Sequence, residues 1–213
     1  MSIGTVNQWY YFKQGLSDKE IKKIRKKAGR DWDGAVVDLA KGPTDEERKT
    51  GVKLNPGKDK KIRVSDVIWI NEQWLYDLIW PWMERANEMG GWNYEIDAAE
   101  DMQITRYKPG GFYSWHCDGL HDHLSKFKCP DKPFVHDRVR KLSMTVLLND
   151  NYEGGEFEFI SYAKEETFID APMSKPKKGQ IIVFPSSMEH RVAPVTKGTR
   201  YSAVVWFLGP PMR

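Results

Sequence analysis

The chain has 213 residues, 30% of them charged and 40% hydrophobic, with a formal net charge of +3 and two cysteines. This length suits one domain with a real core, and mild basicity without a concentrated basic stripe argues against a dedicated nucleic-acid binder. Cys117 and Cys129 give no disulfide framework, no apolar run reaches bilayer-spanning length, and Met1–Asn7 has no signal-peptide pattern, so a cytoplasmic protein with no membrane segment is expected.

In chain order, Trp9–Phe12 reads as a short aromatic strand. Ser17 then caps a helix whose apolar face is Leu16, Ile21, Ile24 and Ala28, and Gly29 ends it. The lysines and arginine on its other face read as a solvated surface rather than a nucleic-acid patch. Trp32–Val37 is a candidate strand, and Lys41–Lys61, rich in Lys, Gly, Pro and acids, is a surface loop. Val64–Ile70 returns to strand character. Glu72–Met89 has the strongest helical period, through Trp74, Leu75, Leu78, Ile79, Trp82, Met83 and Ala86. Pro81 inside it should kink or break it.

From Trp92 onward the chain reads as short strands between turn residues. They are Trp92–Ile96, Met102–Tyr107, Tyr113–Cys117, Arg140–Leu148, Glu156–Ile160, Thr167–Asp170, Gln180–Phe184, Glu189–Ala193 and Arg200–Leu208. Gly154-Gly155 reads as a hairpin turn. Helices first and many strands after them predict a mainly β fold with N-terminal α-helices, an all-β barrel or jelly roll with a helical buttress. In the last strand Arg200, Ser202, Val204 and Trp206 share one face and Tyr201, Ala203, Val205 and Phe207 the other. Both faces are largely apolar, so both should be covered.

The chemistry-bearing residues are His116, Asp118 and the distant His190. On a strand His116 and Asp118 point one way and Cys117 the other. Two imidazoles and one carboxylate hold one face of an octahedral Fe(II) and leave other positions open for a co-substrate and O2. Arg200 follows His190, and a turn at Thr196-Lys197-Gly198 would fold their strands into a hairpin that brings the guanidinium near the metal. An Arg facing a barrel interior needs a buried anion, and a carboxylate suits its fork. His121 and His123 lie in an irregular stretch, Gly119–Asp137, read as a loop beside the site; they and His136 are read as surface rather than as a zinc set.

From about Glu100 to the end the chain resembles the 2-oxoglutarate/Fe(II) dioxygenases, and within them the prolyl 4-hydroxylases. The resemblance rests on Arg106–Asp118, Arg140–Asn149, Gly154–Glu156, Gly179–Phe184, His190–Val192 and Arg200–Phe207. It implies a double-stranded β-helix spanning residues 1–213 as one domain, with 1–99 as helical support and flanking strands and 100–213 as the catalytic core. It implies Fe(II) on His116, Asp118 and His190, with 2-oxoglutarate held by Arg200, Ser202, Tyr107 and Thr145. Leu147 stands where several relatives place a co-substrate Tyr, which shifts that role toward Tyr107 and Thr145. Arg140 and Trp206 match residues that place the substrate. The implied reaction consumes O2 and 2-oxoglutarate, with ascorbate as an accessory reductant, and hydroxylates a C–H bond, on a proline-containing peptide or protein by preference. A nucleic-acid demethylase with the same iron chemistry is the rival, and a non-enzymatic jelly-roll binding module is the weaker third reading.

Overall fold

The computed structural model of the chain describes residues 6–29, 32–35, 62–119, 126, 130–131, 133–163, 166–170, 172–173 and 175–211. The expected loop at Lys41–Lys61, together with His121 and His123, lies outside them.

The first elements are β1 (Tyr10–Phe12) and α1 (Asp18–Ala28). Ser17 and Glu20 form a reciprocal capping box, the Ser17 amide donating to Glu20 Oε2 at 2.7 Å. Gly29, at φ 66°, ends the helix. Next come β2 (Asp33–Gly34), β3 (Arg63–Val64) and β4 (Asp66–Ile70). The single strand expected at Val64–Ile70 is therefore two. The chain changes sheets at Ser65, where the Ser65 hydroxyl accepts from Arg63 Nε at 2.8 Å.

α2 (Gln73–Met89) buries Leu75, Ile79, Met83 and Ala86 along one stripe. It runs through Pro81 without a break. Pro81 removes the bond to the Asp77 carbonyl, but both residues are exposed, so water can take the carbonyl. No strand forms at Trp92–Ile96. Instead the segment wraps the helix end: the Asn87 side chain bonds both backbone groups of Tyr94, and Trp92 Nε1 donates to Asn7 O at 2.7 Å.

The remaining strands are β5 (Ala98–Ala99), β6 (Met102–Tyr107), β7 (Phe112–His116), β8 (Val139–Leu147), β9 (Tyr152–Gly154), β10 (Phe157–Ala163), β11 (Glu166–Asp170), β12 (Ile181–Pro185), β13 (His190–Val192), β14 (Val195–Gly198) and β15 (Arg200–Gly209). The major sheet runs β1-β12-β8-β15-β6-β4-β2, with β5 on β15; the minor sheet runs β11-β10-β13-β7-β3; β14 pairs β9 alone. All the pairings are antiparallel.

Two expected turns are absent. Thr196-Lys197-Gly198 belongs to β14, and Gly154-Gly155 joins β9 to β10, which do not pair. Both glycines have positive φ, 72° and 67°, and a Cβ at Gly154 would stand 2.5 Å from the Pro194 carbonyl. They are there for close backbone approach rather than for a hairpin.

The alternation of β15 sets the layers as expected. Ala203, Val205 and Phe207 pack with Ile21, Ile24, Leu75, Ile79 and Met83 in the cluster that joins the outer face of the major sheet to both helices. A second cluster fills the space between the sheets, with Phe157, Phe159 and Val192 from the minor sheet against Tyr107, Leu147, Ile182 and Phe184 from the major one. The result is a mainly β jelly roll with N-terminal helical support.

Candidate active site

His116 ends β7 and His190 begins β13, and the two are directly opposed in register. Their rings lie 4.2 Å apart, centroid to centroid. Asp118 is not on the strand with His116, as the alternation argument assumed, but two residues along in the bend that follows. Its backbone is fixed from the major sheet: the Asp118 amide donates to Ser186 O at 3.1 Å, and Arg140 Nη1 donates to the Asp118 carbonyl. The carboxylate thus reaches His116 Nε2 at 3.6 Å and His190 Nε2 at 3.5 Å. One ligand atom from each residue falls within 4.8 Å of the others.

The remaining ring nitrogens are committed. His116 Nδ1 meets Ser114 O at 2.7 Å and His190 Nδ1 meets Met188 O at 2.8 Å. A carbonyl only accepts, so each Nδ1 carries a proton, and each Nε2 faces the Asp118 carboxylate. Burial, with His116 adding to it, pushes the His190 ring down to about 4 despite Asp118, so it is neutral at neutral pH. Burial also opposes the Asp118 charge, but His190, His116 and Arg140 outweigh it and hold the carboxyl well below the usual range. Two inward imidazole nitrogens and an ionised carboxylate can hold a divalent metal.

These residues line a cavity of about 630 Å³ between the sheets. In the same cavity lies Arg200, 1% exposed. It does not arrive by a hairpin from His190: β13 belongs to the minor sheet and β15 to the major one, so the two residues face each other across the interior. Arg200 Nη1 donates to Ser202 Oγ at 2.9 Å, while Nε and Nη2 are buried with no partner among the described residues. A buried guanidinium so placed calls for an anion from outside the chain. Tyr107, paired with Arg200 across β6 and β15, sets its ring centroid 5.5 Å from the guanidinium carbon. Thr145 and Ser202 also line the cavity, whereas Leu147 packs with Tyr107 in the core behind it. Ser202, Tyr107 and Arg200 together can cradle one carboxylate.

Arg140 and Trp206 face the same cavity. The Arg140 guanidinium lies 4.2 Å above the Trp206 ring and grips Glu100 with two nitrogens, at 2.5 and 2.7 Å. Burial works against its charge, but Glu100 more than restores it and raises the pKa. Trp206 Nε1 is buried without a partner among the described residues.

Tyr113, Arg63, Trp69 and Gln103 are among the cavity residues that sequence reasoning passed over. Tyr113 stacks on His116 with centroids 3.4 Å apart, and burial pushes its hydroxyl up to about 12. Strict alternation would put it on the opposite face from His116. A register shift between β7 and β13, where Val192 opposes Tyr113, turns it inward. Arg63 lies over the Tyr113 ring at 4.5 Å. Trp69, 51% exposed at the rim, has its ring 6.0 Å from Trp206, and Gln103 is its cross-strand neighbour. An exposed Trp within a strand was the available signal.

The 2OG-Fe(II) oxygenase superfamily profile matches residues 102–208. A protein of Acanthamoeba polyphaga mimivirus, provisionally named a prolyl 4-hydroxylase, is 30% identical over 163 residues, 71% of this chain and 60% of that protein. This chain therefore spans less than two thirds of that relative. Among solved structures, the viral collagen prolyl hydroxylase of Paramecium Bursaria Chlorella virus-1 has a TM-score of 0.61 at 22% identity, covering 97% of this chain and 99% of that one. The Trichoplax adhaerens prolyl hydroxylase in complex with a hypoxia inducible factor peptide fragment has a TM-score of 0.60 at 18% identity, covering 94% of this chain and 83% of that one. These structures share the double-stranded β-helix, and with the profile match over half its length this chain belongs to the 2OG-Fe(II) oxygenase superfamily.

Proposed function

We propose that this chain is a 2-oxoglutarate- and Fe(II)-dependent dioxygenase that hydroxylates a prolyl residue of a peptide or protein. One observation carries the reading: three inward ligand atoms and a buried guanidinium with no acidic partner among the described residues face each other across one cavity. His116, Asp118 and His190 bind the metal. Arg200, with Ser202, Tyr107 and Thr145, holds the far carboxylate of 2-oxoglutarate and so fixes its other end toward the metal. Bound together, Fe(II) and 2-oxoglutarate supply O2 activation coupled to release of CO2 and succinate. The protein's share is placement of the target carbon and exclusion of water. Arg140 is part of the wall, held by Glu100 and holding Asp118 in turn, and Trp206 offers its free indole N–H to the substrate backbone.

The prolyl assignment is supported by the mimivirus relative's name and by the peptide bound in the Trichoplax enzyme. A prolyl segment is also a low-cost ligand, because its extended helix is already ordered and aromatic side chains suit it. The demethylase rival is weakened by where the basic helix packs. Lys23 and Arg25 cover Trp74 and Tyr201 at 3.6 and 4.4 Å, on the face of the major sheet away from the cavity.

The test is a mass screen of prolyl peptides with Fe(II), ascorbate and 2-oxoglutarate. The expected result is one oxygen added to a peptide, with succinate formed in step. Formaldehyde released from methylated oligonucleotides, with no peptide oxidised, would overturn the prolyl reading and leave the metal site standing.

A further inference from the structure

A second concavity, an open groove of about 690 Å³, rounds the end of the major sheet beside the active-site mouth. Its walls are Tyr76, Trp80 and Pro81 from α2 and Phe134, which is 49% exposed; Ala98 and Ala99 form its floor. Around this apolar lining stand Asp77, Asp97 and Asp101. Arg138 grips Asp97 with two nitrogens, at 2.7 and 2.8 Å. Asp77 and Asp101 accept only from the neutral amides of Gln73 and Asn71, at 2.9 and 2.6 Å, and neither has a cation within ion-pair distance among the described residues. Burial first, and then the nearby Asp101 carboxylate, push the Tyr76 hydroxyl up to about 12.

The groove continues the wall of the active site. Trp69 and Gln103, opposed across β4 and β6, line the cavity; Asn71 and Asp101, the residues just past the paired ends of those strands and bonded to each other, line the groove. Glu100 separates the two, its carboxylate on Arg140 in the cavity and its backbone carbonyl accepting from the Tyr76 hydroxyl at 3.3 Å. Strand rise puts Asp101 about 7 Å beyond Gln103. An extended prolyl peptide covers that in about two to three residues.

We propose that this groove is a docking site for a lysine or arginine of the substrate polypeptide, a few residues from the hydroxylated position. A basic side chain there lays its aliphatic stem along Trp80 and Phe134 and sets its charge over the aromatic faces, within reach of Asp77 and Asp101. Charge complementarity and continuity with the cavity wall select this occupant over an acidic or a purely apolar one. The proposal rests on the reading of the cavity as a peptide-hydroxylating site, and it deepens it by naming a sequence preference.

The test measures binding of labelled prolyl peptides to the metal- and 2-oxoglutarate-loaded protein without oxygen. Each peptide carries arginine or its neutral twin citrulline at one position, scanned along both sides of the proline. At one register arginine should bind about three- to tenfold tighter, the combined scale of an exposed cation–π contact and ion pair. That preference should fade in about 0.5 M salt, where charges are screened beyond a few ångströms. It should be lost in the Asp77→Asn/Asp101→Asn double variant and turn toward glutamate peptides in Asp77→Lys/Asp101→Lys. Equal binding of arginine and citrulline peptides at every register, a preference that survives in both variants, or no peptide binding at all would overturn the proposal. Hydroxylation of these peptides without any charge preference would sink the groove and leave the prolyl reading intact. A charge preference with no oxygen transfer to any peptide would support the groove and count against the prolyl reading.

Discussion

In the proposed site Arg200 is the residue on which co-substrate binding turns, because its buried charge meets hydroxyls, of Ser202 and Tyr152, and no carboxylate among the described residues. Hydrogen bonds to a charged group contribute about 1.5–3 kcal/mol, so Arg200→Ala should weaken 2-oxoglutarate by roughly ten- to a hundredfold or more in a direct titration. Arg200→Lys should recover only part of that, since an ammonium lacks the two-pronged geometry. Unchanged affinity in Arg200→Ala would remove Arg200 from the site. Glu100 and Arg140 make a separate expectation. Their pair is mostly buried and runs on to the Asp118 backbone, so a double-mutant cycle on unfolding stability should show a coupling above about 1 kcal/mol. Additive single effects would reduce the pair to a surface ornament. That His116, Asp118 and His190 come together was legible from identity and order, and so was the inward face of Arg200, Ser202 and Trp206. Tyr113 was not, because the register shift that turns it toward His116 is a property of the pairing with β13, not of its own strand.

At the level of elements, the strands that bring chemistry together are joined by connections whose logic is tertiary. Gly155 shows this. It sits at φ 67°, and a Cβ there would lie 2.9 Å from Val195 and 3.0 Å from Arg200 Cδ. Gly155→Ala strains a backbone position by about 1–3 kcal/mol and presses on the guanidinium stem. The variant should lose thermal stability and raise the 2-oxoglutarate KM together; a stability loss with an unchanged KM would separate the glycine from Arg200. The helices carry the opposite expectation. Ile79 on α2 is 0% exposed, in the cluster on the far side of the major sheet from the cavity. Ile79→Ala should cost about 2–5 kcal/mol by denaturant unfolding, with turnover per folded molecule preserved. Helical period made both helices readable in sequence, with the Ser17 cap adding to the first. The short strands β5, β9 and β14 were not readable, because segments of two to four residues carry no periodicity and owe their existence to partners distant in the chain.

Over the whole molecule, the two sheets divide the labour. The minor sheet presents the histidines, the major sheet presents Arg200, Arg140 and Trp206, and Asp118 is fixed by bonds that reach from one to the other. The sequence pattern conveyed a barrel or jelly roll with helices first, and the two apolar faces of Arg200–Leu208 called for the helical cover that is found. It could not convey that His190 and Arg200 lie in opposing sheets, because a hairpin and a crossing between sheets look alike over ten residues. The central claim is that one metal and one 2-oxoglutarate meet in the space between those sheets. Anaerobic calorimetric titration tests it most directly, first with Fe(II) and then with 2-oxoglutarate, on the wild-type chain and on Asp118→Ala. The account predicts one metal per wild-type chain and 2-oxoglutarate binding that strengthens sharply once the metal is in place, with both lost in a folded Asp118→Ala. Equal metal stoichiometry and affinity in the two proteins would contradict it.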